Sequence, residues 1–177
     1  QPAGGTVRST KIGNQAKLER LIATLDIKQK YDTLVESLRD GLGPSAYQWP
    51  NTTGYSFYLR EVSATGGPTN RAYISLYTPE HRKGDIQVFL QPRAIEAAGM
   101  QKIQALAESF GSKAIQRPDG CAEVWLGRQR MDATCTEALK SLGQAITAGW
   151  KASMENQAKD EAAEANTSEP LVVAESA

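Results

Sequence analysis

The sequence predicts an α+β fold, with a four-stranded, mainly antiparallel sheet packed by helices and a helical arm ahead of it. Three observations predict this. Apolar residues recur at helical spacing before residue 43, after residue 92 and after residue 132. Between the first two of these regions, three segments alternate apolar and polar residues with the period of a half-buried strand. Gly, Pro, Asn and Asp fall at the joints, where turns need their backbone freedom or their local hydrogen bonds.

Residues 1–13, rich in Gly, Pro, Ser and Thr, read as a disordered arm. Asn14 then suits a helix cap, and Leu18, Leu21, Ile22 and Leu25 share one face of an N-terminal helix over 14–29. After a break near 26–28, a second helix carries Tyr31, Leu34, Val35 and Leu38 and stops at Gly41-Leu42-Gly43-Pro44.

The main domain spans 30–152. Tyr55, Phe57 and Leu59 alternate with Ser56, Tyr58 and Arg60 in its first strand. Segments 71–77 and 85–90 supply the second and third, so the three form an antiparallel meander. The connection 63–70 is long and Gly-rich, and the turn 78–84 carries His81, Arg82 and Lys83. Pro92 sits well in the first turn of a helix over 92–110, lined by Ile95, Ile103, Leu106 and Phe110. A Pro118-Asp119-Gly120 turn delivers the fourth strand, 121–127. Thr134 with Glu137 fits a capping box for the last helix, which carries Leu139, Leu142, Ile146 and Trp150. Trp150 reads as a staple of that helix to the body, and Trp49 as cover for a sheet edge. Residues 153–177 have almost no apolar anchor and read as a disordered acidic tail.

An apolar share of 40% with 23% charged residues is that of an ordinary globular domain. No segment approaches the roughly 20 apolar residues that span a bilayer, so no membrane partner is expected. Two cysteines, Cys121 and Cys135, either close one bridge outside the cytoplasm or stay reduced inside it. The reduced, cytoplasmic reading is the expectation.

Formal neutrality hides a split in charge. Up to Lys151 there are nineteen Lys and Arg against fourteen Asp and Glu; beyond it, one Lys faces six acids. A basic body with an acidic tail suits an anionic partner, with the tail as competitor or solubiliser.

No catalytic constellation stands out. The order helix, three strands, helix, strand resembles the core of restriction-endonuclease-like nucleases, which implies an Asp on the second strand and an acid-x-Lys triplet on the third. Asp85-Ile86-Gln87 lacks that Lys, and 71–77 holds no acid. His81 is the single histidine and lacks the company a metal site or dyad needs. Cys135, within the first turn of the last helix, has no partner base in view. Gly66-Gly67-Pro68 opens no helix and forms no phosphate cradle. No catalytic residue, metal ligand or cofactor is therefore expected.

Cations do gather at predicted loops: Arg60 and Arg71 flank the long connection, Arg82 and Lys83 share a turn, and Arg128 and Arg130 follow the fourth strand. Tyr58, Tyr73 and Tyr77 lie near them on strands. Cationic loops with nearby aromatics suit phosphate contact and stacking. The segments 54–60, 71–77 and 85–90, with the final helix after Asp132, give an element order similar to small bacterial domains of the YjbR/double-wing type. That resemblance implies association with DNA through hairpin wings, without catalysis. The expected function is thus a non-enzymatic nucleic-acid-binding module using Arg60, Arg71, Arg82, Lys83, Arg128 and Arg130. The alternatives are an adaptor that dimerises through the N-terminal helices and a degenerate nuclease.

Overall fold

The structure is a computed structural model that describes residues 3–62, 66–127 and 132–167, with side chains from Thr10 to Asn166 within those ranges. Helix α1 (Ala3–Leu25) and helix α2 (Lys28–Leu42) precede strands β1 (Tyr47–Pro50), β2 (Gly54–Val62), β3 (Pro68–Tyr77) and β4 (Ile86–Leu90). Helices α3 (Pro92–Ala98) and α4 (Met100–Ser109), strands β5 (Ile115–Gln116) and β6 (Ala122–Leu126) and helix α5 (Ala133–Thr167) complete the chain.

The α+β class and the β2–β3–β4 meander match the expectation, but the sheet has six strands rather than four, in the order β1-β2-β3-β4-β6-β5. All pairings are antiparallel. The two added strands are edge strands too short to show a period of their own. β1 ends in Pro50, whose missing N–H is tolerated at an edge. β5 forms when Arg117 N–H bonds Cys121 O and closes a hairpin over the predicted 118–120 turn.

Helices cover one face of this sheet. Ile86, Val88 and Leu90 on β4 and Ala122, Val124 and Leu126 on β6 are buried beneath them, each strand alternating as its sequence does. From the helix layer, Leu34 and Leu38 of α2, Ile103 and Leu106 of α4, and Leu139, Leu142 and Ile146 of α5 complete the core. Backbones touch where α2 crosses α5. A Cβ on Gly41 would lie 2.2 Å from Lys140 O, and one on Gly143 would lie 2.9 Å from Leu42 N. The Thr147 hydroxyl adds a hydrogen bond to Leu42 O at the same crossing.

Several boundaries differ from those read in the sequence. α1 begins at Ala3, so the helix covers residues expected in a disordered arm; helix propagation from a packed segment costs less than nucleation. Asn14 is therefore inside the helix, and its Nδ2 donates to Pro50 O beside β1. The break after α1 falls as predicted, at left-handed Asp26. The helix expected over 92–110 is divided at Gly99, whose φ of 86° leaves the helical region.

The cap of α5 is Asp132, not Thr134. Asp132 Oδ1 accepts hydrogen bonds from the backbone N–H groups of Thr134 and Cys135. The Cys135 N–H in particular holds the Asp132 carboxyl below its ordinary pKa. Asp132→Ala should lower the melting temperature measurably, while Thr134→Ala leaves it nearly unchanged; a thermal scan of the two variants checks this assignment. Downstream, α5 continues past Ser153 to Thr167, because Ala, Glu, Lys and Gln are strong helix formers and no Gly or Pro interrupts them. Residues 168–177 of the expected tail lie outside the described residues.

Among the described residues, β2 has no strand on its outer side beyond Tyr58. Two side chains of α5 take that place: Trp150 Nε1 donates to Arg60 O at 2.9 Å, and Gln157 Nε2 donates to Val62 O at 2.7 Å. Trp150 thus staples the helix to the body, as read in the sequence.

Candidate nucleic-acid interface

The face of the sheet opposite the helices carries a row of aromatic side chains. Cross-strand register defines it. Tyr47 pairs with Tyr58 and Trp49 with Ser56; Ser56 pairs with Ser75, and Ser75 with Phe89. Phe89 pairs with Glu123, while Tyr77 pairs with Gln87 and Gln87 with Trp125. Because side chains alternate, these residues share the face that Ile86, Val88 and Leu90 leave. Between its aromatics lie small polar groups, including the Ser56 and Ser75 hydroxyls, which bond each other at 2.7 Å.

Cations lie over the rings at both sides of this face. The Arg82 guanidinium sits 4.1 Å from the centre of the Trp125 ring, and Arg117 sits 5.3 Å from that of Phe89. On the β1 side, Lys11 of α1 lies 5.7 Å from the Tyr47 ring and 5.4 Å from the Trp49 ring. Each approach uses the negative face of the aromatic quadrupole. A shallow dent of about 200 Å³ is lined by Tyr47, Trp49, Tyr58 and Asn70.

One carboxylate organises the other end. Glu123 accepts from Trp125 Nε1 at 3.2 Å and from Gln87 Nε2 at 2.8 Å, and its nearest Arg117 nitrogen is 3.7 Å away. The indole plane is thereby fixed, with a ring face left to Arg82. Arg117 also pairs with Asp119 at 3.2 Å, so its charge is spent locally.

The predicted cations do not form one cluster. Arg82 and Lys83 lie together at the turn from β3 to β4, with Lys83 in the left-handed conformation. Arg60 and Arg71 lie near the far end of the β2–β3 ribbon, six residues from Tyr77 along β3, or roughly 20 Å. They also face opposite ways, since Arg71 pairs with Leu59 and Arg60 with Asn70. Arg60 shares the open face with Tyr58; Arg71 faces the helix side. Arg128 and Arg130 lie outside the described residues, and β6 ends at Leu126 opposite Ile86, at the Arg82 end. Among the described residues, Arg60, Arg71, Arg82 and Lys83 form no ion pair.

Tyr73 also departs from its expected place. The β2–β3 register slips between Phe57 and Tyr58, leaving Tyr73 without a partner on β2. Its ring is buried toward α3, with its hydroxyl on Glu61 at 2.6 Å and Arg93 at 6.0 Å from the ring. Burial, then the Glu61 bond, push the phenol well above its ordinary pKa. This pair borders a cleft of about 590 Å³ beside α3 and α5.

The sequence pointed to Trp49 only as cover for a sheet edge, which its place on edge strand β1 fits, and did not single out Phe89 or Lys11. Phe89 had a usable signal, since in Ile86-Gln87-Val88-Phe89-Leu90 it shares parity with Gln87 rather than with the core residues. Lys11 had none, because its neighbours come from the distant β1.

Cys121 and Cys135 are unpaired and buried, and burial raises the Cys121 thiol pKa. The described residues hold no group of three His, Cys, Asp or Glu side chains placed to share a metal, and no helix among them is long and apolar enough to cross a membrane. On the N-terminal helices offered above as a dimerising element, Leu18, Ile22 and Tyr31 are buried in the chain's own core, and Leu21 and Leu25 are half-buried. Compared with known proteins, the chain matches no family model, and no curated protein or solved structure shows significant similarity to it.

Proposed function

We propose that the chain is a non-enzymatic nucleic-acid-binding module, and that the open face of its sheet is the binding surface. The observation that carries this reading is the pairing of aromatic rings with cations across that face, from Lys11 over Trp49 to Arg82 over Trp125. Rings offer every base a stacking surface, and cations beside them meet the backbone phosphates. Arg60 and Arg82, with Lys83 beside the latter, supply charge that forms no ion pair with a described carboxylate. Arg71 faces the helix side and is not assigned to the contact.

Phosphate contact releases counterions, so affinity should fall steeply with salt. Fluorescence anisotropy of a labelled oligonucleotide between 50 and 200 mM salt tests this, and each phosphate contact contributes a slope of about −0.7 to −0.9 in log–log form. Arg82→Glu with Lys83→Glu should flatten that slope by about two and weaken binding across unrelated sequences. No binding at the lowest salt defeats the reading.

A further inference from the structure

We infer that the ligand is an unpaired single strand, laid across the sheet from the Tyr47–Trp49–Tyr58 dent to the Trp125–Arg82 stack. This rests on the nucleic-acid reading above and specifies its substrate class.

Width decides first. Six strands about 4.8 Å apart give a face roughly 24 Å across, about twice the width of the duplex major groove. A helix or a two-stranded ribbon enters that groove, but this face does not. Geometry of the partner decides next. In a duplex the flat faces of the bases are stacked on one another, and only their edges are accessible. On this protein, cations lie over the faces of Tyr47, Trp49, Phe89 and Trp125, and a ring face is a surface that only an unstacked base can share.

Placement supports the same assignment. Trp49, Tyr58, Tyr77, Phe89 and Trp125 come from five successive strands, β1, β2, β3, β4 and β6, spanning roughly 19 Å. That is room for a few nucleotides in an extended path. Asn70 beside the dent and Gln87 beside Trp125 place amide groups where base edges would lie. The Arg82 guanidinium already occupies the Trp125 ring face as a planar stacked group. A base can slide between the two or displace the guanidinium toward a phosphate.

The three tryptophans make this testable, because Trp49 and Trp125 lie on the open face while Trp150 bonds the outer edge of β2 through Arg60 O. The full chain is titrated with a twelve-nucleotide single strand and with the same sequence as a blunt duplex, at equal salt, following tryptophan fluorescence and anisotropy. The single strand should bind at least ~10-fold more tightly and quench fluorescence, as stacking on indole requires. Trp125→Thr should weaken single-strand binding by about 5- to 150-fold, and Tyr58→Thr, on a neighbouring strand, should weaken it in the same direction. Circular dichroism confirms that each variant is folded, and having two variants keeps the test decisive if one is not. Equal or tighter duplex binding, without quenching and without loss in a folded variant, overturns the single-strand assignment while leaving nucleic-acid binding intact. Failure of both probes at low salt removes the parent reading as well.

Discussion

Gly41→Val is expected to lower the melting temperature by roughly 6–12 °C, the consequence of about 3 kcal/mol lost from a domain of this size. The added Cβ would stand 2.2 Å from Lys140 O, a backbone atom of α5 that no rotamer change can move. α2 and α5 must separate, and Leu38, Leu42, Leu139 and Leu142 lose packing with them. A side chain in place of Gly in a helix gains up to about 1 kcal/mol in propensity, which the collision outweighs. Thermal denaturation of Gly41→Val and Gly143→Val checks the argument, since both should fall together. A Gly41→Val variant as stable as the parent would show that the two helices do not touch there.

Tyr31→Phe is expected to cost a similar amount, about 3 kcal/mol, by orphaning the buried Leu76 carbonyl and the part-buried Tyr55 N–H. The fully buried Tyr31 hydroxyl donates to Leu76 O at 2.7 Å and accepts from Tyr55 N–H at 2.9 Å. One side chain of α2 thus ties β2 to β3 where those residues face each other. Burial raises the Tyr31 phenol far above its ordinary pKa. Unfolded tyrosine ionises near pH 10, whereas the folded one keeps its proton. The sign follows: stability from this group is complete below about pH 10 and drains as pH rises above it, by up to about 1.4 kcal/mol per pH unit. Urea midpoints from pH 8 to 11.5 should therefore fall more steeply for the parent than for Tyr31→Phe. Parallel alkaline limbs would mean that the phenol is hydrated.

Much of this fold was legible from local pattern. The alternation in Ile86–Leu90 and the turn residues Pro118, Asp119 and Gly120 act over a few positions, and they placed β4 and β6 correctly. The Gly43 stop of α2 and the Asp26 break are equally local. β1 was not legible, because four residues ending in proline form a strand only when β2 supplies the partner. The slipped register that turns Tyr73 inward was hidden for the same reason, since a bulge depends on two strands at once. The candidate site was half legible. Tyr58, Tyr77 and Arg82 followed from parity and turn position, but the register that sets Trp125 beside Gln87, and the separation of Arg60 from Arg82, are properties of the assembled sheet.

The hydrogen bonds from Trp150 and Gln157 to the outer side of β2 have a consequence beyond anchoring. A bare ribbon edge invites a passing chain to zip onto it and seed a growing stack. Here two side chains, seven positions apart on one helix, occupy the carbonyls such an intruder would need. The long helix therefore doubles as a guard rail along this stretch of β2.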